Sequence, residues 1–348
     1  MASTPAIRTQ FTQLLDLKTP VVQPPMALAS GGVLAAEVSL AGGFGFIGSG
    51  YDTVEKLRRD LEAARTVLKV EPGSPLPIGV GFFGWILDKP EATSKELLAL
   101  LVEYRVKAIW LSFGVNLSPW IQFVRELNQQ SGGPPILIFV QVCSLQEALT
   151  AINEWKVDVV VVQGIEAGGH GASYGLPLLT LLPLVLANTP PNGPPIIGAG
   201  GLSDGSQVAA LLTLGASGAA LGTRFLLSPE SLYSEAQRKV LIGADSSQSV
   251  RTMAFDNARG TVGWPKGIDG RGIRNATVDD YDKGVDISVI RKKYQEASAK
   301  GDTDRIVVWA GTGVGAMKQV LPAKDIVREL HEECLSRLRN ASNLEIKE

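Results

Sequence analysis

The chain has 348 residues, 45% of them apolar, with a net charge of −2. The apolar fraction supports a large core and excludes a disordered chain, while the near balance of charge argues against wholesale affinity for nucleic acid or anionic membranes. No apolar run approaches the roughly 20 residues of a membrane span, Cys143 and Cys334 suggest neither zinc nor a disulfide framework, and Met1–Arg8 has no secretory pattern, so a soluble cytoplasmic protein is expected.

Thr19–Met26 reads as a first short strand, ended by Pro24 and Pro25, which cannot donate ladder hydrogen bonds. Ser30–Ala41 is a small-residue helix and Phe44–Gly50 a second strand. Asp52 caps the next helix with Glu55 as reciprocal partner, and Leu57, Leu61, Ala64 and Leu68 give its apolar stripe. Leu76–Phe83 is a third strand, Thr93 or Ser94 starts a helix to about Arg105, and Ala108–Gly114 is a fourth strand. Ser118-Pro119 is an N-cap followed by proline at the first helical position. Pro135–Val142 is a fifth strand, and a helix runs from Ser144 toward Trp155. Val157–Gln163 is a sixth strand, apolar on both faces, as a parallel strand covered on each side requires. Leu178–Ala187 is a helix and Pro195–Ala199 a seventh strand. Ser203-Asp204 caps a helix that ends at Gly215, and Gly218–Leu226 is an eighth strand.

Eight strand-then-helix units in roughly 230 residues match the α/β class and a (β/α)8 TIM barrel, with an open doubly wound sheet as the alternative. Beyond the barrel, Glu230–Ile242 reads as a helix, 256–274 as a loop with no period and 279–300 as a mostly polar helix. A short strand or loop at 306–314 and an amphipathic helix at 322–339 follow. The expected division is a barrel over 1–228, a lid subdomain over 229–311, and a segment 312–348 whose helix packs back on the barrel.

The active site of such a barrel lies at the C-terminal ends of its strands. Most of these ends carry glycine, which suits a flat or extended ligand lying against backbone. The sixth end brackets one histidine, His170, whose ordinary pKa of about 6.5 suits acid/base work; the bland alternative is a tight turn with a surface histidine. The seventh and eighth ends each precede a helix, where this fold usually binds phosphate through bare N–H groups. Thr223 could add a hydroxyl, and Arg224 either meets the phosphate or forms a structural ion pair. One phosphate anchor, one histidine, no expected metal site and no strand-end lysine for pyridoxal phosphate together suggest FMN.

Three motifs in order, Gln163-Gly-Ile-Glu-Ala-Gly-Gly-His-Gly171, Gly198-Ala-Gly-Gly-Leu-Ser-Asp-Gly205 and Leu221-Gly-Thr-Arg-Phe225, closely resemble those of the nitronate monooxygenases, formerly called 2-nitropropane dioxygenases. The resemblance covers about residues 19–228, and more weakly Trp309–Gly315. It implies FMN on the barrel rim, with Pro25, Met26 and Ala27 lining the ring through backbone. Gln163 and Gly168 would touch ring or ribityl oxygens, and Gly200, Gly201, Gly222, Thr223 and the candidate Arg224 would hold the phosphate. Gly81, Gln141, Gly169 and Leu221 complete the expected cofactor contacts, although many bacterial members carry Asn where this chain has Gly81. His170 matches the family histidine that removes the proton α to the nitro group. The implied activity is oxidation of nitronates or nitroalkanes with O2 to carbonyl compounds and nitrite, by a monomer or homodimer. The alternative is an FMN-dependent reductase passing hydride from NAD(P)H to a quinone or enoyl thioester.

Other residues carry milder expectations. His331 reads as a solvated histidine on a charged helix, and Cys143 as a small packing residue beside the site. Glu166 orients or caps the histidine loop, while Tyr174, Trp110 and Trp309 are either pocket walls or core aromatics.

Overall fold

The structure, a computed structural model, describes residues 4–341 and 343, apart from residue 92. The ends of the first and third expected units, 1–3 and 344–348, lie outside the described residues. The barrel closes. Its strands are β1 (Val21–Gln23), β2 (Phe44–Gly48), β3 (Leu76–Phe83), β4 (Val106–Ser112), β5 (Leu137–Val142) and β6 (Val159–Gln163). A short β7 (Gly169–Ala172) leaves the barrel, which resumes with β8 (Ile196–Ala199) and β9 (Gly218–Ala220). All neighbours are parallel, and β9 returns to β1 through Val21↔Ala219 and Val22↔Ala220.

The consecutive valines of β6 show why the sequence closes this way. Side chains alternate along a strand, so Val159 and Val161 enter the barrel interior with Val22, Phe44, Phe46, Trp110 and Phe139. Val160 and Val162 face outward into the layer shared with the surrounding helices. Water reaches neither face. The helix Gln10–Leu15, capped by Thr9, seals the N-terminal end of the barrel with buried Phe11, which meets Phe139 edge-on at 6.0 Å.

Several elements differ from expectation. The eighth strand stops at Ala220, and Gly222–Leu226 is a short helix, because an apolar run of that length suits a buried helix as well as a strand. Thr53, not Asp52, caps the helix Val54–Leu68 by accepting from the Lys56 amide. The helix expected from Glu230 begins at Glu235, where Ser234 and Gln237 form a capping box.

The segment 256–274, expected to be irregular, contains most of a helix, Ala254–Arg259, and a strand, β11 (Ile268–Ile273). With β10 (Ser249–Thr252) and β7 it forms an antiparallel sheet in the order β10-β11-β7. The glycines that disguised β11 lie under Trp309: a Cβ at Gly270 would stand 2.5 Å from its ring. The polar segment 279–300 is two helices, Ala276–Asp282 and Ile287–Lys300, separated near Gly284. Trp309 makes one bridge to Gly272, and Thr312–Ala316 is a 3-10 turn, so no strand spans 306–314.

The last helix, Ala323–Ala341, buries Ile326, Val327, Leu330 and Cys334 in the outer layer. His331 falls on the same inner face, which corrects the expectation of a solvated histidine. It is 4% exposed, its Nε2 stands 3.0 Å from the Pro5 carbonyl oxygen, and burial pushes its pKa down. Among the described residues no helix is long and apolar enough to cross a membrane.

Candidate active site

A cavity of about 420 Å³ opens at the C-terminal ends of the barrel strands, within the roughly 300–1,000 Å³ of small-molecule and cofactor sites. Of the fifteen residues expected to act as the base or to contact the cofactor, thirteen line it: Pro25, Met26, Ala27, Gly81, Gln141, Gln163, Gly168, Gly169, His170, Gly200, Gly201, Gly222 and Thr223. Two do not. Leu221 follows Ala220 on the alternating strand and so points outward, into the layer between sheet and helices, while its amide donates to Val22 O at 3.0 Å. Arg224 turns away as well. Its Nη1 donates to the Gln319 carbonyl at 3.1 Å and its Nη2 stands 3.8 Å from Glu329, which is the structural ion pair.

The glycines of the rim serve different ends. At Gly81 a Cβ would lie 2.2 Å from Pro25 Cβ, so the proline ring fills the place of a side chain. At Gly222 a Cβ would meet nothing nearer than Met26 Sδ at 3.6 Å, so packing within the protein does not demand glycine there. Gly200 and Gly201 have φ of 114° and 73°, values that favour glycine and expose the loop backbone to the cavity.

His170 is not on a loop. It lies in β7, paired with Gly270 of β11, and its carbonyl accepts from Gln163 Nε2 at 3.2 Å. Its Nε2 is 3.0 and 2.9 Å from the two carboxylate oxygens of Asp256, which is fully buried. The imidazole stacks on Trp264 at a centroid distance of 3.6 Å and 13° between planes, and Trp309 meets it edge-on at 5.0 Å. Asp256 also accepts from the Thr261 hydroxyl at 2.7 Å and from Trp264 Nε1 at 3.2 Å.

The hydrogen-bond pattern assigns the tautomer: Nε2–H donates to the acceptor-only carboxylate, which leaves the lone pair on Nδ1. Burial pushes the His170 pKa below its usual value, against the raising influence of Asp256. For Asp256, burial pushes upward but is outweighed by His170, the Thr261 hydroxyl and Arg259, so the carboxyl lies below its ordinary range. The pair is thus a neutral imidazole on an ionised carboxylate near neutral pH.

Asp256, Trp264 and the cavity-lining Arg259 escaped the sequence reading. One signal was present: Asp256 is a lone acid among Ala254, Phe255 and Ala258, all buried on the same short helix. Trp110 and Trp309 do line the cavity, whereas Tyr174 is 95% exposed and walls nothing. Both Glu166 carboxylate oxygens accept from the Leu178 amide, at 3.1 and 3.0 Å, which caps the following helix. Cys143 is buried, its thiol is pushed up to about 12 by burial, and it donates to Gln163 Oε1 at 3.4 Å, as a packing residue would.

The lining suits a flat group bearing a phosphate. Gln141 Nε2 is a buried donor with no partner among the described residues, in a side chain that lines the cavity. The space at Gly222 and the exposed backbone of Gly200 and Gly201 provide a cradle at the β8 and β9 ends. Thr223 Oγ1 accepts from the Gly311 amide at 2.9 Å, which leaves its O–H available to donate.

A closed β/α barrel with a carboxylate-paired imidazole beside a backbone-lined cavity is the arrangement of a barrel enzyme that acts on a small molecule. The family model for nitronate monooxygenase matches residues 8–83 and 88–333, so the chain belongs to the nitronate monooxygenase family and is a flavin-dependent oxidoreductase. It is 35% identical to a nitronate monooxygenase of Neurospora crassa, over 92% of this chain and 91% of that protein. Among solved structures it resembles FabK from Thermotoga maritima, with a TM-score of 0.79 and 25% identity over 98% of this chain and 100% of that one. A nitroalkane oxidase from Streptomyces ansochromogenes gives a TM-score of 0.76 and 26% identity, over 95% and 99% of the two chains.

Proposed function

We propose that this protein is an FMN-dependent nitronate monooxygenase, oxidising nitronates and nitroalkanes with O2 to carbonyl compounds and nitrite. The observation that carries this reading is the His170–Asp256 pair, with its 2.9 Å contact and its free Nδ1 on a ring that lines the cavity. Pro25, Met26 and Ala27 would line the FMN ring, Gln141, Gln163, Gly168 and Gly169 would meet its polar edge, and Gly81 would add only backbone. Gly200, Gly201, Gly222 and Thr223 would hold the phosphate through N–H groups and one hydroxyl. Bound there, FMN would supply the electron acceptor and the centre at which O2 reacts.

The residues of this chain move the proton. Neutral His170 takes the α proton of a nitroalkane on Nδ1, and the electron pair left on carbon delocalises into the nitro group as a nitronate. The imidazolium so formed is stabilised by Asp256 at Nε2. Trp264 and Trp309 fix the plane of the ring and shield the pair from water. Segment 229–311 acts in this reading as a lid, because it contributes Asp256, Trp264 and Trp309, and 312–348 holds the barrel side.

The first test is the visible flavin spectrum of the purified protein, followed by aerobic nitrite release from 2-nitropropane and from its preformed nitronate. His170→Asn is expected to slow the neutral substrate by roughly 10²–10⁴-fold while largely sparing the nitronate, which needs no base. Equal losses on both would contradict the base role. Rapid anaerobic bleaching of the flavin by NAD(P)H alone would favour the reductase alternative.

A further inference from the structure

The arginines near the cavity divide into two kinds. Arg251 and Arg271 are consumed by the fold. Arg251 holds Asp269 and the carbonyls of Ile165 and Gly171, and Arg271 holds those of Ile165 and Ser249. Arg259 lines the cavity from the end of the helix Ala254–Arg259 and is half-buried, yet among the described residues it has no hydrogen-bond or ion-pair partner. Asp256, one turn earlier, is already taken by His170, Thr261 and Trp264.

The cavity-lining tyrosines divide in the same way. Tyr233 exchanges hydrogen bonds with the Trp309 backbone, and Tyr294 accepts from the Val307 amide at 3.1 Å. The Tyr51 hydroxyl is buried without a partner. Its ring meets Phe83 edge-on at 5.6 Å, and Phe83 in turn meets Trp264, the tryptophan stacked on His170, at 5.0 Å. Tyr51, His170 and Arg259 line the same cavity; burial pushes the Tyr51 hydroxyl up to about 12 and His170 down, and the charge of Arg259 acts on both.

A guanidinium is a planar fork of donors with no acceptor of its own, and it matches a two-oxygen anion. With no protein partner among the described residues, the Arg259 fork is free to take such an anion from the cavity. We infer that Arg259, with the Tyr51 hydroxyl on the wall of the same cavity, forms an anion subsite that selects a small planar two-oxygen anion over its neutral counterpart. Under the function proposed above, that anion is the nitronate of the substrate. Arg259 is therefore a specificity-determining residue, separate from the base.

Isobutyrate and isobutyramide test this without turnover. They share the shape of a small nitronate and differ in charge. Titration calorimetry on the flavin-loaded protein is expected to show isobutyrate binding at least about tenfold more tightly than the amide, the scale of one charged hydrogen-bonded contact. Arg259→Met should remove that preference by weakening isobutyrate alone, Arg259→Lys should keep part of it, and Tyr51→Phe should reduce it by a few fold. Unchanged flavin content and circular dichroism would show that the variants fold. Equal binding of the two probes by the wild type, or a preference that survives Arg259→Met, would overturn the subsite. The readout separates this inference from the reaction on which it rests: an anion preference without nitrite release would leave the subsite standing and remove the nitronate as its occupant.

Discussion

On the barrel side of the cavity much of the wall is main chain, set among the side chains of Trp110, Gln141 and Gln163. Gly81, Gly200, Gly201 and Gly222 present backbone, and Pro25 closes over Gly81 where a side chain would otherwise project. On the side of the β10-β11-β7 sheet the wall is side chain: Arg259 and Trp309 line the cavity, with Asp256 and Trp264 directly behind the imidazole. His170, with Gly169 before it, belongs to both, since the two follow the β6 end in sequence and pair with β11 in space. The contrast separates two tasks. A flat ligand needs close approach and many N–H groups, which glycine provides, whereas moving a proton needs a few groups held in fixed relation, which a sheet and a buried helix provide.

The largest expected effect comes from breaking the side-chain wall. Asp256→Asn preserves volume but removes the charge that supports the imidazolium, and should slow neutral nitroalkanes by about 10²-fold or more. Because Asp256 raises the His170 pKa against burial, the acidic limb of the rate profile should also move to lower pH in this variant. A profile that does not move would mean that the pairing does not govern the base. Stability should respond with the same sign. An unfolded histidine binds a proton near pH 6.5 and the buried His170 does not, so the melting temperature should fall as pH drops below about 6.5. Asp256, depressed in the fold, adds stability that is present above about pH 3.9 and is lost as pH falls through its folded value.

The main-chain wall can be probed with a pair of matched substitutions. Gly81→Ala forces a methyl against Pro25 at 2.2 Å and should destabilise the fold by about 1–3 kcal/mol. Gly222→Ala meets only ordinary contacts at 3.6 Å, so the melting temperature should hold while the retained flavin absorbance falls. If both variants merely destabilise, Gly222 is a packing glycine like Gly81. The smallest effect is expected at Trp264→Phe, which keeps a ring against His170 but loses the Nε1 bond to Asp256, for about 0.5–1.5 kcal/mol in transition-state stabilisation read from kcat/KM.

How far the sequence revealed each wall follows from the physics of each. Barrel strands announce themselves because both faces are dry: Val159–Val162 can be little else, and the glycines at the strand ends mark the rim. The overrun of the eighth strand came from an apolar stretch that serves strand and buried helix alike. The opposite wall had no such periodicity. β11 carries glycine where Trp309 lies over it, so its alternation is muted. The partnership of His170 with Asp256 depends on the pairing of β7 with β11, and nothing local to either strand encodes that register. His331 was misplaced for a related reason: its charged neighbours suggested solvent, although its spacing from Val327 and Cys334 set it on the inner face.

Asp256, Arg259 and Trp264 are near neighbours in the chain, while the surfaces they address come from strands spread around the whole barrel. The groups that support, charge and stack against the imidazole therefore travel together as one short cassette. A related barrel could exchange this cassette in a single insertion or graft and acquire a different chemistry, with the floor on which its ligand rests left untouched.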